Sequence, residues 1–179
     1  MSDLDALARD INVRCRLRGR FMLRSGQVSD EYFDKYLFES DPVLLKRVVD
    51  RLTDLVPAGT GLLGGLELGG VPLVTMLSHA TGIPALFVRK QAKEYGTRRI
   101  AEGGDPAGRA VLLVEDVITT GGDVARAARV LRELGATVTT VACVIDRMPP
   151  GPDGNALRAE GITVRSVLTK EQLDSAAQA

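Results

Sequence analysis

Residues 111–122, VLLVEDVITTGG, set four apolar residues against an adjacent pair of carboxylates, followed by two threonines and two glycines. A Val/Leu run bounded in this way reads as a strand buried on both faces, the pattern of parallel sheets covered by helices. Beyond the turn, Val124, Ala127, Ala128, Leu131 and Leu134 fall at helical spacing, with Gly135 as the stop. In an open parallel sheet, ligands sit past the carboxyl ends of the strands, so this turn is where function is expected. Free amides at the helix start and the positive end of its dipole favour a phosphate over Thr119, Thr120, Gly121 and Gly122. Glu115 and Asp116 are acceptors at a point where the chain is expected to leave the strand, so side-to-side alternation does not force them apart. Carboxylates suit hydroxyl donors such as those of a ribose. A phosphate cradle beside hydroxyl acceptors describes a sugar phosphate.

Outward from this stretch, strands and helices alternate. LLGGLE (62–67) reads as a strand, GGVPLVTMLSHAT (69–81) as a helix, and IPALFVRK (83–90) as a strand. TVTTVACVID (137–146) and ITVRSVLT (162–169) are further strands, and KEQLDSAAQA (170–179) is a weak terminal helix. The fold class is therefore α/β, a central mainly parallel sheet flanked by helices. Toward the N-terminus, Ser2 and Asp5 start a helix to about Cys15, and Asp41 with Pro42 starts a second one whose face runs to Val56. Residues 19–40 between them are rich in β-formers broken by Ser-Gly, which predicts short strands and a turn. RKQAKEYGTRRIAEGGDPAGR (89–109) is a long polar excursion between two good strands.

At 179 residues the chain fits one domain. Lys plus Arg and Asp plus Glu each count 23, so no overall positive field points to nucleic acid or an anionic membrane. No apolar stretch approaches the ~20 residues that span a bilayer, and the polar N-terminus lacks a secretory pattern, so a soluble cytoplasmic protein is expected. Cys15 and Cys143 lack metal-ligand spacing and read as free thiols. His79 is the only histidine, near a helix end, and no Ser/His/Asp or Cys/His constellation exists.

The order of strand, two acids, two aliphatics, then Thr and Gly resembles the phosphoribosyl pyrophosphate (PRPP) signature of the type I phosphoribosyltransferases. By that resemblance Glu115 and Asp116 hold the ribose hydroxyls, and Thr119, Thr120, Gly121, Gly122 and Asp123 wrap the 5′-phosphate. Asp123 stands where the family usually carries a small or hydroxyl-bearing residue, so its carboxylate is expected to turn away and its amide to serve. FVRKQAKEYG (87–96) is similar to the mobile catalytic loop of the orotate phosphoribosyltransferases, spanning 89–104, with Arg89, Lys90 and Lys93 at the basic positions. Cations there would act on charge that builds on departing pyrophosphate. Tyr95 replaces a frequent histidine. GGLELGGVP (64–72) matches the loop that approaches pyrophosphate, with Glu67, Leu68 and Gly69 acting through main chain. Some relatives have a lysine in place of Gly69, and its absence shifts charge to Arg89, Lys90, Lys93 and the metal.

FMLRSGQVSDEYFD (21–34) resembles the orotate-side segment, which makes residues 1–40 part of a small N-terminal hood. Arg24, Tyr32 and Phe33 match positions near the base, although Tyr32 and Phe33 read alone suit hood packing. Arg147, past the end of a strand, would meet the pyrimidine with its planar fork of donors, and Thr119 is also placed at orotate. The resemblance implies transfer of phosphoribose from PRPP to orotate, with Mg²⁺ carried by PRPP rather than by a protein cage. It also implies a homodimer with shared active sites. A purine phosphoribosyltransferase would keep the phosphate turn but leave Arg24, the basic loop and Arg147 unexplained. A PRPP-sensing nucleic-acid regulator fits poorly with the balanced charge.

Overall fold

The computed structural model describes residues 2–22, 26–91, 100–149 and 156–177. The N-terminal signals hold. Ser2 and Asp5 form a reciprocal capping box that opens helix α1 (Asp3–Cys15). A two-stranded antiparallel hairpin follows, β1 (Arg16–Met22) and β2 (Val28–Phe33). A four-residue helix, α2 (Tyr36–Glu39), comes next, where the sequence reading expected only strands and a turn. Asp41 caps α3 (Pro42–Thr53) by accepting from the amides of Val43 and Leu44 at 3.0 and 3.1 Å, a contribution of about 1 kcal/mol. Leu44, Val48, Val49 and Leu52 form its buried face.

The main sheet is built from β3 (Leu62–Leu66), β4 (Ala85–Val88), β5 (Ala101–Glu102), β6 (Ala110–Ile118), β7 (Thr137–Asp146) and β8 (Thr163–Thr169). Their order is β5-β4-β3-β6-β7-β8, and every neighbour is parallel except the edge strand β5. Helix α4 (Gly70–Thr81) links β3 to β4, α5 (Gly122–Glu133) links β6 to β7, α6 (Ala156–Ala159) precedes β8, and α7 (Lys170–Ala176) follows it. Along β6, Val111 and Leu113 pack into one core cluster, with α5 and α6. Leu112 and Val114 pack into the other, with α1, α3 and α4. That alternation is what a strand covered on both faces requires.

Two differences from the sequence reading bear on the site. β6 runs on to Ile118, so Glu115 and Asp116 lie within the strand rather than at its exit, because β7 extends to Asp146 and offers ladder partners to residues 115–118. The polar excursion also contains β5, which pairs with Phe87 and Val88 and so returns the chain to the sheet at Ala101. Chain order doubles back between β3 and β6: β4 lies to one side of β3 and β7 beyond β6. The crevice at such a reversal is the expected ligand position. Among the described residues no helix is long and apolar enough to cross a membrane.

Candidate active site

A cleft of about 340 Å³ opens at the carboxyl ends of β3, β4 and β6. Glu67 and Leu68 reach it from β3, Arg89 and Lys90 from β4, and Glu115 with Thr119 through Asp123 from β6. These are the positions assigned from sequence to PRPP and to the root of the catalytic loop. Helix α5 begins at Gly122, and no side chain caps it. The amides of its first turn therefore lack intrahelical acceptors, and the residues that carry them line the cleft. Gly121 makes the turn with φ +75, and a Cβ there would sit 2.6 Å from Leu157 Cγ. The Asp123 carboxylate accepts from Arg126 Nη2 at 3.3 Å, one turn along the same helix.

The turn after β3 is shaped by a close approach. A Cβ on Gly69 would lie 1.5 Å from Asp116 Oδ2, so glycine is required if that carboxylate is to stand where it does. Glu67 was assigned through its main chain, but its side chain also works, accepting the Lys90 amide at 2.6 Å. Arg126 Nη1 donates to the Lys90 carbonyl, and the Arg89 amide donates to the Ile100 carbonyl at 2.8 Å. Lys90 is thus clamped between the β3 turn and α5, three residues before Lys93. Lys93 and Tyr95 themselves, with Arg98 and Arg99, lie outside the described residues, as does Arg24.

Tyr32, Phe33 and Arg147 come together in a separate cavity of about 470 Å³, with Arg16, Glu31 and Asp174 on its walls. It adjoins the cleft through backbone, since the Arg147 amide donates to the Ile118 carbonyl at 2.8 Å, one residue before Thr119. Phe33 packs partly against the core and Tyr32 stacks at 5.5 Å on Phe21, so hood packing describes much of their contact. His79 is an exposed residue in the last turn of α4. Both thiols are buried and free, which pushes them above the usual cysteine range.

Sequence reading missed the electrostatic centre of the site. Asp116 is fully buried, and Lys35, at the start of α2, places Nζ 2.6 Å from its Oδ2. Glu39, on the same short helix, is 7% exposed, and its Oε1 is buried 3.0 Å from the same would-be Cβ on Gly69. Burial, then the charge of Asp116, pushes the Glu39 carboxyl up to about 8. The same causes in the same order push Glu115 up to about 9. One ammonium thus faces three carboxyls, an arrangement that favours protons on Glu39 and Glu115 over ionisation of all three.

This has a consequence for stability. Unfolded carboxyls titrate near their ordinary value of about 4.3, so between there and about 8 the folded chain binds the extra proton at Glu39. Stability from that source is complete below the unfolded value and is lost as pH rises through the folded one. The melting temperature should fall across this interval, and Glu39→Gln should flatten the fall. An identical slope in that variant would remove Glu39 from the cluster.

A model of the phosphoribosyl transferase domain matches residues 62–164. An orotate phosphoribosyltransferase of Nocardioides sp. is 61% identical over 177 residues, covering 98% of each chain. One from Methanocella arvoryzae is 43% identical over 155 residues, 87% of each. Among solved structures, the orotate phosphoribosyltransferase of Aeropyrum pernix superposes with a TM-score of 0.81 at 31% identity, over 97% of this chain and 99% of that one. The Mycobacterium tuberculosis enzyme in complex with PRPP superposes at 0.75, also at 31% identity and over 97% and 99%.

Proposed function

The chain belongs to the phosphoribosyltransferase family, within it to the orotate phosphoribosyltransferases, and from that premise we propose how its own residues carry the reaction. It transfers the 5-phosphoribosyl group from PRPP to orotate, giving orotidine 5′-monophosphate and pyrophosphate in de novo pyrimidine synthesis. The observation that carries the assignment of roles is one cleft lined by Glu115, by the turn of Thr119 and Thr120 and by the uncapped start of α5, with Asp116 buried directly behind Glu115. The amides take the 5′-phosphate and the carboxyls take the ribose diol, which fixes the anomeric carbon between the β3 turn and the hood. Main chain at Glu67, Leu68 and Gly69 meets pyrophosphate. Orotate enters from the side of Tyr32, Phe33 and Arg147, with Thr119 and Arg24 completing its contacts.

Substitution at the anomeric carbon develops positive charge on the ribose and negative charge on the leaving group, so no protein nucleophile is needed. Arg89, Lys90 and Lys93 stabilise the departing charge, and closure of the loop that leaves β4 and returns at β5 would exclude water. Among the described residues no group of three or more His, Cys, Asp or Glu side chains is arranged to hold a metal. Mg²⁺ brought in by PRPP would add charge neutralisation at the leaving group to that supplied by Arg89, Lys90 and Lys93. The reading includes a cytoplasmic homodimer in which the loop of one subunit serves the site of the other.

The assignment is tested by following orotate absorbance after addition of PRPP and Mg²⁺, with adenine, guanine, hypoxanthine and uracil in parallel. Turnover of orotate alone is expected, and turnover of a purine instead would overturn the base assignment. Lys93→Ala should lower kcat far more than PRPP affinity, because its interaction is made with charge that appears only in the transition state. Mixing Lys93→Ala subunits with Asp116→Asn subunits should restore part of the activity if sites are shared. Absence of recovery despite demonstrated subunit exchange would contradict sharing.

A further inference from the structure

Asp116, assigned above to the ribose diol, is closed off in the structure as it stands. Its side chain is 0% exposed and the ammonium of Lys35 lies on its Oδ2 at 2.6 Å. Lys35 itself lines the cleft, with 32% of its side chain exposed. The same Oδ2 lies 1.5 Å from the point where a Cβ on Gly69 would be, so the ammonium stands beside the turn assigned to pyrophosphate. The other cations lining the cleft near that turn, Arg89 and Lys90, approach from the end of β4. Burial pulls the Lys35 ammonium down, but its hydrogen bond to Asp116 and the charges of Asp116 and Glu115 outweigh it, and the group remains cationic across the neutral range.

When ribose hydroxyls take Asp116, this ammonium loses its partner in a half-buried space, and a charge left unpaired there is strongly disfavoured. PRPP brings the replacement anion with it. We infer that Lys35 is a PRPP-binding residue, exchanging the Asp116 carboxylate for pyrophosphate oxygens as the ribose diol engages. Gly69 makes the exchange local: lacking a side chain, it leaves the carboxylate, the ammonium and the β3 turn in one small volume. The exchange also couples the two halves of the substrate, because the diol must bind for the cation to be released. The inference rests on the cleft being the PRPP site.

Calorimetry separates the two. Wild type, Lys35→Met and Lys35→Arg are titrated with PRPP, and then with orotidine 5′-monophosphate, which shares the ribose and 5′-phosphate but has no pyrophosphate. Lys35→Met should lose on the order of 10- to 100-fold in PRPP affinity, the size expected for one charge-assisted contact. Its affinity for the nucleotide should not fall, because that diol takes Asp116 without bringing an anion for the ammonium, and Lys35→Arg should recover most of the PRPP loss. Equal losses for both ligands would reduce Lys35 to a support for Asp116, and an unchanged PRPP affinity would remove it from the site. Should Lys35→Met fail to fold, Lys35→Gln carries the same comparison. Failure of wild type to bind PRPP at all would instead overturn the assignment of the cleft.

Discussion

An Asp116→Asn variant is expected to lose on the order of 100-fold or more in kcat/KM for PRPP, with little change in secondary structure. The substitution keeps the shape of the side chain and removes its charge. Two interactions go with that charge: an acceptor for a diol held against a ribose that turns cationic in the transition state, and the counter-ion of Lys35 at 2.6 Å. A charge-assisted hydrogen bond is about twice as strong as a neutral one, and losing it where charge develops costs about 3 kcal/mol. Steady-state kinetics with saturating orotate measure the loss, and circular dichroism checks the fold. Activity within a few-fold of wild type would mean that the diol is held elsewhere.

The second large effect should come from the other half of the cradle. Gly121→Ala places a side chain at φ +75, where non-glycine residues are disfavoured by about 1–2 kcal/mol, and drives its Cβ to 2.6 Å from Leu157 Cγ. Leu157 is fully buried in the cluster beneath α5, so it cannot yield without disturbing packing, and overpacking adds about 1–3 kcal/mol. The turn should therefore reopen, tilting the amides of residues 119–123 away from a common point. The expected result is a melting temperature lower by several degrees and a PRPP affinity weaker by on the order of 10-fold or more. Gly122→Ala is the control, because a Cβ there would meet only Thr120 Oγ1 at 3.8 Å. A Gly121→Ala protein that binds PRPP as tightly as Gly122→Ala would show that the turn conformation is not what holds the phosphate.

Much of this arrangement was readable before any coordinates. The caps at Ser2 and Asp41 work because a carboxylate or hydroxyl next to free amides is a local event, complete within four residues. The apolar run of β6 and the helical face of α5 are likewise periodic over enough residues to be unambiguous. From them follows the position of the turn between β6 and α5, since parallel strands place their exits on one edge. What periodicity could not supply was α2, a helix of four residues, too short to show a repeat. With α2 went Lys35 and Glu39, whose partner Asp116 is remote in sequence and is brought to them only by the tertiary fold. Arg126 lies off the apolar face that marks α5 in the sequence, yet it binds the Lys90 carbonyl. The only available hint was compositional: a lysine and a glutamate four residues apart, in an otherwise aromatic and aliphatic segment, must find partners if the segment is buried.

Strand length erred for a similar reason. Two acids at 115 and 116 look like an exit, because a carboxylate rarely enters a sheet interior, but the ladder is continued by main chain on β7 and does not depend on what the side chains are. Burial of the acids is then offset by the ammonium and by retained protons at Glu39 and Glu115.

Where PRPP lies decides every role assigned to these residues, and a crystal structure of the protein with PRPP and Mg²⁺ tests it directly. The 5′-phosphate oxygens should be found at hydrogen-bond distance, about 2.7–3.2 Å, from backbone amides within residues 119–123, with the 2′ and 3′ hydroxyls on Glu115 and Asp116. A 5′-phosphate seated anywhere else, such as the cavity of Tyr32 and Arg147, would contradict it.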